Sequence, residues 1–242
     1  MSKPREAKGR GVGAGGPAPT TTTAAGTAPP AAGKTLTSHD IFELCIQRAR
    51  NLVKLHEAAH GKAGKPEKYT SDAHRAAIVL AVSALDAFIR DLVIARARTL
   101  LTSKAVALPL ALSAEIKKFL KDDALIDAAR KDDLLERVDK AFRNDFEKRS
   151  FQGTKNIEEQ LKIVGYDNIF HVVAVKGGLN EDTLRQDLDR FTDRRHAIAH
   201  RGDYDLTQNP PRENVVTKRD AEDCVRLICR IAKHIHEIGV QP

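Results

Sequence analysis

The chain has 242 residues and a formal net charge of +7 at pH 7, which allows one or two domains. It has no apolar run near the roughly 20 residues that cross a bilayer, and its N-terminus lacks a secretory signal core, so a cytoplasmic protein is expected. The cysteines, Cys45, Cys224 and Cys229, are odd in number and have no CxxC spacing, so the sequence supports neither a disulfide framework nor a cysteine-rich zinc site.

The first 34 residues are dominated by Gly, Ala, Pro and Thr, and they are predicted to form a disordered tail because such residues cannot build a core. Five Lys and Arg residues against one Glu give this tail +4, which leaves +3 for residues 35–242. A basic tail would raise the encounter rate with a polyanion such as RNA, and the same composition is typical of a solubilising extension.

Helical periodicity begins after the tail. Thr37 and Ser38 can cap a first helix, which ends before the break at Gly61 and Gly64–Pro66. Its predicted apolar stripe comprises Ile41, Leu44, Cys45, Leu52 and Leu55. The cap oxygens of Thr70, Ser71 and Asp72 then precede a long central helix. Its core residues repeat at spacings of four and three: Ile78, Val82, Leu85, Ile89 and Leu92.

Residues 103–178 have a weaker pattern and are interpreted as a helical insertion or a side layer. Ser113 is predicted to cap a short helix, and Leu134–Phe146 and Asn156–Val164 are predicted as two more. Ile169–Val175 is a short apolar run that periodicity alone does not assign to helix or strand.

Two well-bounded helices close the chain. Asn180 caps the first, which should stop at Gly202, and Thr217 with Asp220 forms a capping box for the second. His234 and His236 in the last helix lie two residues apart, hence on different faces, and are expected at the surface. Because no strand pattern of any length appears, the predicted fold class is an all-α bundle.

An arginine interrupts the apolar stripe of the penultimate helix. At about 100° per residue from Leu184, Arg195 falls near 20°, between Leu188 near 40° and Phe191 near 340°. An unmatched buried guanidinium costs several kcal/mol, so Arg195 needs a carboxylate, a partner subunit or a cleft open to solvent and an anion. Asp86, at the edge of the apolar arc of the central helix, is a candidate partner for Arg195 or a nearby His; it would equally suit a structural ion pair.

Further along the same helix, His200 lies about 140° around the axis from Arg195. The two side chains therefore converge only if the last turn unwinds toward Gly202 or if they meet across a dimer axis.

The segment RRHAIAHRGDYD, in which Arg195 precedes His200 with four residues between, resembles the Arg-x4–6-His signature of the HEPN superfamily. The stretch DAHRAAIVLAVSALDAFIRDL, residues 72–92, is similar to the second helix of its RiboL-PSP-HEPN group, associated with ribonuclease L-like and plasmid-stability proteins. The two segments cover about a fifth of the chain, and the fold that they imply is a HEPN-like helical bundle.

This resemblance implies an endoribonuclease that requires no metal or other cofactor, forms a homodimer, and cuts RNA by attack of the substrate's own 2′-hydroxyl. His200 would then do acid–base work, Arg195 would stabilise phosphate charge, and His196 would orient the site or add a polar contact. Arg194 and Arg201 would hold RNA phosphates. The family implies a role in toxin–antitoxin systems or antiviral defence, with an antitoxin or neighbouring protein as a regulator.

Some relatives in that superfamily carry a modified Tyr two residues after the His. Here Tyr204 follows His200 by four residues, which weakens the parallel and leaves Tyr204 as a remote candidate for regulation.

Two other functions fit the same residues. His196 and His200, spaced i and i+4, could bind zinc with Asp193 or Asp203, although the embedded Glu of the best-known helical zinc motif is absent. A non-catalytic binding or dimerisation module would instead keep Arg195 as an ion pair with Asp86.

Overall fold

The structure is a computed structural model that describes residues 36–60, 68–103 and 106–239. The predicted disordered tail and the break at Gly61 and Gly64–Pro66 lie outside these residues.

The described residues form nine α-helices and one small antiparallel sheet, which confirms the all-α prediction. The helices are α1 (Ser38–His60), α2 (Lys68–Thr102), α3 (Leu110–Phe119), α4 (Asp122–Arg130), α5 (Leu134–Phe146), α6 (Thr154–Ile163), α7 (Ile169–Gly177), α8 (Glu181–Arg201) and α9 (Lys218–Gly239). The strands are β1 (Tyr204–Asp205) and β2 (Arg212–Glu213). Among the described helices, none is both long and apolar enough to span a membrane.

The central element is α2, which packs against α1, α8 and α9. Its buried Ala77, Ala81 and Ala84 allow the neighbouring helices to approach closely. The predicted cap was wrong, because α2 begins at Lys68 and the residues from Thr70 to Asp72 lie inside it. The side chains of Ser71 and Asp72 accept hydrogen bonds from Arg75 one turn later.

The first helix has its predicted start, where Thr37 and Asp40 bond reciprocally as a capping box. Its predicted buried face was wrong. The helix is apolar on two faces, and it buries the one with Phe42, Ile46, Ala49 and Val53. The predicted stripe includes residues that stay exposed, namely Ile41, Leu44 and Leu55, with Cys45 and Leu52 partly buried. An aromatic ring and a small Ala on the buried face give tight packing against α2.

Residues 103–178 contain α3 to α7, and their buried side chains join the same core as α2. The predicted helices around Leu134–Phe146 and Asn156–Val164 correspond to α5 and α6, and the undecided run after Ile169 is helical. Ser113 does not cap α3, which begins at Leu110 after Pro109. The fixed φ of proline suits such a helix start. Helix α4 was not predicted.

The start of α1 and the end of α9 meet through two stacked histidines. The rings of His39 and His236 are stacked with centroids 4.1 Å apart, next to the rings of Phe42 and Phe88. His236 is therefore partly buried, and so is His234, which pairs with Glu237. The expectation that both lie at the surface was wrong because α9 packs against both α1 and α7.

The His236 imidazole should make stability depend on pH. Burial, and then the neighbouring His39, lower the pKa of His236 below 6.5, and these effects outweigh Glu237 and Asp40, which raise it. The His236 imidazole therefore binds a proton more tightly in the unfolded chain than in the folded one. Its contribution to the free energy of unfolding is complete above pH 6.5 and is lost as the pH falls below that value. We expect the free energy of unfolding, measured in urea, to fall less between pH 7 and pH 5.5 in His236→Gln than in the unsubstituted protein.

The matched control is His171→Gln, because His171 is an exposed histidine on α7 that pairs with Glu181. An unchanged acid dependence in His236→Gln would contradict the role of the stacked pair.

Candidate active site

The candidate site lies at the C-terminal end of α8, whose two ends are set by the sequence. The Asn180 side chain accepts a hydrogen bond from the Thr183 backbone N–H at 2.9 Å. At the other end Gly202 adopts the left-handed conformation, with φ of 59°, and its N–H donates to the carbonyl of Ala197. Both predicted ends are confirmed, and the helix runs without interruption through His200 to Arg201.

The two histidines of this helix end share an exposed face. His196 and His200 are both exposed, and their ring centroids are 6.2 Å apart. Arg201 beside them is also exposed, and Tyr204 follows in β1 with 40% of its surface accessible. Imidazoles placed this way are open to solvent and to a ligand.

Arg195 on the same turn is partly buried. Its Nε atom is enclosed by protein without a hydrogen-bond partner, and none of the described carboxylates forms an ion pair with its guanidinium. Of the three environments expected for this arginine, a carboxylate partner is thus missing in the described part of the chain. An anion or a second subunit remains.

Asp86 does not pair with Arg195, which corrects the candidate assignment. Its Oδ2 atom accepts a hydrogen bond from Arg90 at 2.8 Å, and its Oδ1 atom accepts one from the backbone N–H of Phe151 at 2.8 Å. Arg90 lies one turn later on α2, where i and i+4 side chains meet. Asp86 therefore has the structural role of tying α2 to the loop after α5.

A second carboxylate organises the loop that follows the histidines. Asp203 is fully buried, and its Oδ2 atom accepts hydrogen bonds from Arg75 Nε at 2.9 Å and Arg194 Nη2 at 2.8 Å. Asn214 completes the cluster through its Nδ2 atom, 2.9 Å from the Asp203 carbonyl and 3.3 Å from Oδ1. We call Arg75, Arg194, Asp203 and Asn214 the Asp203 cluster.

The Asp203 cluster changes the interpretation of two predicted residues. Arg194 also donates to the carbonyl of Val215 at 2.9 Å, so its guanidinium is already engaged by the protein, and its phosphate contact stays only a prediction. The Asp203 carboxylate accepts hydrogen bonds from two arginines, so it is already engaged. Within the described residues, no group of three or more His, Cys, Asp and Glu side chains is placed to hold a metal ion.

Comparison with known families identifies the family of this chain. The profile of the RiboL-PSP-HEPN family matches residues 43–238. The chain belongs to the RiboL-PSP-HEPN family. The match runs from α1 into α9 and includes Arg195 and His200, which confirms the resemblance seen in the sequence. No curated protein and no solved structure matches the chain.

In this RiboL-PSP-HEPN chain, sequence reasoning missed Arg75 and Asn214 and considered Asp203 only as a metal ligand. Arg75 stands 128 positions before Asp203, and no local pattern links them. The available signal was weak: Asp203 is a non-glycine residue with a positive φ of 67°, directly after the predicted helix stop.

The Asp203 cluster should dominate the local stability of the site. Replacing Asp203 by Asn removes the ion-pair partner of Arg194 among the described residues, and breaking a buried ion pair costs about 3 kcal/mol or more. We expect urea unfolding to show a loss of this size in Asp203→Asn.

The control is Asp223→Asn, which breaks a solvent-exposed pair with Arg226 and should cost at most about 1 kcal/mol. Equal effects of the two substitutions would contradict a special role for the cluster.

Proposed function

We propose that this protein is an endoribonuclease that needs no metal ion and cleaves RNA through the substrate's 2′-hydroxyl. The observation that carries the proposal is Arg195, a partly buried guanidinium without an ion-pair partner among the described residues. It lies on the same helix end as two exposed histidines. A guanidinium in such a place suits an anionic ligand, and its fork can hold two phosphate oxygens.

The chemistry assigns one role to each residue. One imidazole, from His200, accepts the proton of the 2′-hydroxyl as its oxygen attacks the adjacent phosphorus. The bond from phosphorus to the 5′-oxygen breaks, and a second imidazole gives that oxygen a proton. The products are a 2′,3′-cyclic phosphate and a 5′-hydroxyl end. Arg195 stabilises the charge on the non-bridging oxygens, and His196 orients the site.

A homodimer is part of this proposal. Because α8 is continuous through Arg201, its last turn does not unwind, and Arg195 and His200 stay about 140° apart on one helix. A second copy, related by a two-fold axis, would bring another Arg and His to the same cleft and supply the second imidazole. Arg201, exposed beside His200, would hold an RNA phosphate.

The biological role follows from family membership alone. We infer a toxin–antitoxin or antiviral function, in which an antitoxin or neighbouring protein restrains the nuclease. Tyr204 is the candidate for regulation by modification, which its exposure in β1 would allow.

Two observations weigh against the other functions. A binding module held together by an Arg195–Asp86 pair loses its basis, since Asp86 is bonded to Arg90 and Phe151. A metallohydrolase would need ligands besides His196 and His200, and the described residues offer no third one.

Cleavage of a labelled RNA tests the mechanism. We expect cleavage to persist in EDTA, to disappear when the 2′-hydroxyls are replaced by hydrogen, and to be lost in His200→Ala because the proton acceptor is gone. His171→Ala, which removes an exposed histidine far along the chain from the motif, is the control and should cleave normally. Sensitivity to EDTA would favour a metal site, and full cleavage by His200→Ala would overturn the site assignment.

Arg195→Ala should separate catalysis from stability. Because Arg195 forms no ion pair with a described residue, we expect the free energy of unfolding in urea to fall by less than about 1 kcal/mol, well below the loss expected for Asp203→Asn. Loss of a charge stabiliser should lower the cleavage rate by about 100-fold to 1,000-fold, with partial recovery in Arg195→Lys.

Arg219→Ala removes an arginine that is 89% exposed and lies 3.8 Å from Asp223, and it serves as the control for the loss of a positive charge. If Arg195→Ala instead unfolded the protein at an unchanged specific activity of the remaining folded fraction, Arg195 would be structural.

A further inference from the structure

A cavity of about 390 Å³ opens on the face of α8 next to the histidines. Its apolar walls come from three elements and include Ile78 of α2, Ala197 of α8 and Val216 of the segment before α9. Binding pockets for small ligands start at about 300 Å³, so the space admits one nucleoside. The cavity is not used by the proposed chemistry.

The cavity lies within reach of the proposed scissile phosphate. Ala197 in its wall precedes His200 by three residues, and helical residues at that spacing have Cβ atoms about 5–6 Å apart. Asp193 lines the same cavity two turns before His200, about 10 Å along the helix axis. A nucleotide whose phosphate lay against His200 would therefore have its base, or that of its neighbour, at the cavity mouth.

Two charged groups of the cavity are already engaged. Arg194 belongs to the Asp203 cluster. Asp220 forms the predicted capping box with Thr217, accepting from its hydroxyl and its backbone N–H. Burial alone would raise the pKa of Asp220, but the bonds from Thr217 and the charges of Arg194 and Arg190 outweigh it and lower that pKa.

The other two charged groups are available to a ligand. The exposed Asp193 carboxylate has no hydrogen bond or ion pair with another described residue. Arg190 lies over the Phe191 ring, 4.2 Å from its centroid, and its one ion pair among the described residues is with the half-exposed Asp187. The cavity thus combines apolar walls with the acceptor Asp193, unpaired among the described residues, and with the donor Arg190, which can leave Asp187 for a ligand.

We propose that this cavity binds a guanine base of the RNA beside the cleavage site, an inference that rests on the proposed ribonuclease function. An ionised carboxylate can only accept hydrogen bonds, and guanine offers two neighbouring donors, N1–H and the N2 amino group, on its Watson–Crick edge. Arginine binds the O6 and N7 atoms of guanine. Asp193 and Arg190 supply this combination, while Ile78 and Val216 cover the base.

The other bases match these groups less well. Adenine and cytosine each place one amino donor next to a ring-nitrogen acceptor that faces the carboxylate. Uracil has a single N3–H donor between two carbonyl oxygens. Each would leave Asp193 with one hydrogen bond and one repulsive contact.

Binding of free nucleotides tests the cavity without any cleavage. The four ribonucleoside 5′-monophosphates are titrated into the full chain and their dissociation constants measured by calorimetry. We expect GMP to bind about tenfold more tightly than AMP, CMP or UMP, a difference within the range of one bidentate base contact. Asp193→Asn should abolish the preference, because an amide presents one donor and one acceptor to the base.

Asp182→Asn, an exposed acid on the same helix that does not line the cavity, is the matched control and should keep the preference. Equal affinity for GMP and AMP, no GMP binding at millimolar concentration, or a preference that survives Asp193→Asn would each overturn the guanine site. A preference for GMP in a protein that cleaves no RNA would support the guanine site and refute the ribonuclease function. Cleavage by a protein that binds the four nucleotides equally would support the ribonuclease function and refute the guanine site.

Discussion

The buried carboxylate of Asp203 is the interaction on which the site depends. A carboxylate with no exposed surface is tolerated only when charge and hydrogen bonds replace its hydration, and here two guanidiniums and an amide do so. Arg75 comes from α2 and Arg194 from α8, so one anion joins the central helix to the helix that bears the histidines. It stands three residues after His200 and thereby fixes the backbone that leaves the motif.

Two neighbouring arginines on α8 are separated by this cluster into different roles. Arg194 points to Asp203 and is neutralised, whereas Arg195, about 100° further around the helix, has no such partner in the described part of the chain. The charge of Arg194 is thus compensated by Asp203, whereas the charge of Arg195 is left uncompensated among the described residues. An uncompensated, partly desolvated guanidinium interacts more strongly with a phosphate than an exposed one, because less water competes for it.

The sequence predicted three helix ends from neighbouring residues, although the caps predicted near Asp72 and at Ser113 were wrong. It also failed where distant residues decide. The caps at Asn180, Thr217 and Gly202 follow from a few adjacent side chains, and these were correct. The buried face of α1 was not predictable, because that helix has two apolar faces and its packing against α2 determines which of them is buried. Asp86 and Asp203 show the same limit: each is bound by a residue far along the chain, and helical periodicity contains no information about that pairing.

The geometry of α8 also bears on why such a motif would work between two chains. A straight helix cannot direct residues i and i+5 to one phosphate, since they project about 140° apart. Unwinding the last turn would converge them, but it would break the bonds from Gly202 and Asp203 to the Ala197 carbonyl and displace the Asp203 cluster. The buried ion pairs therefore oppose that rearrangement within one chain. In the proposed homodimer, two helices related by symmetry would place the Arg of one beside the His of the other with no distortion, so that arrangement would leave the Asp203 cluster intact.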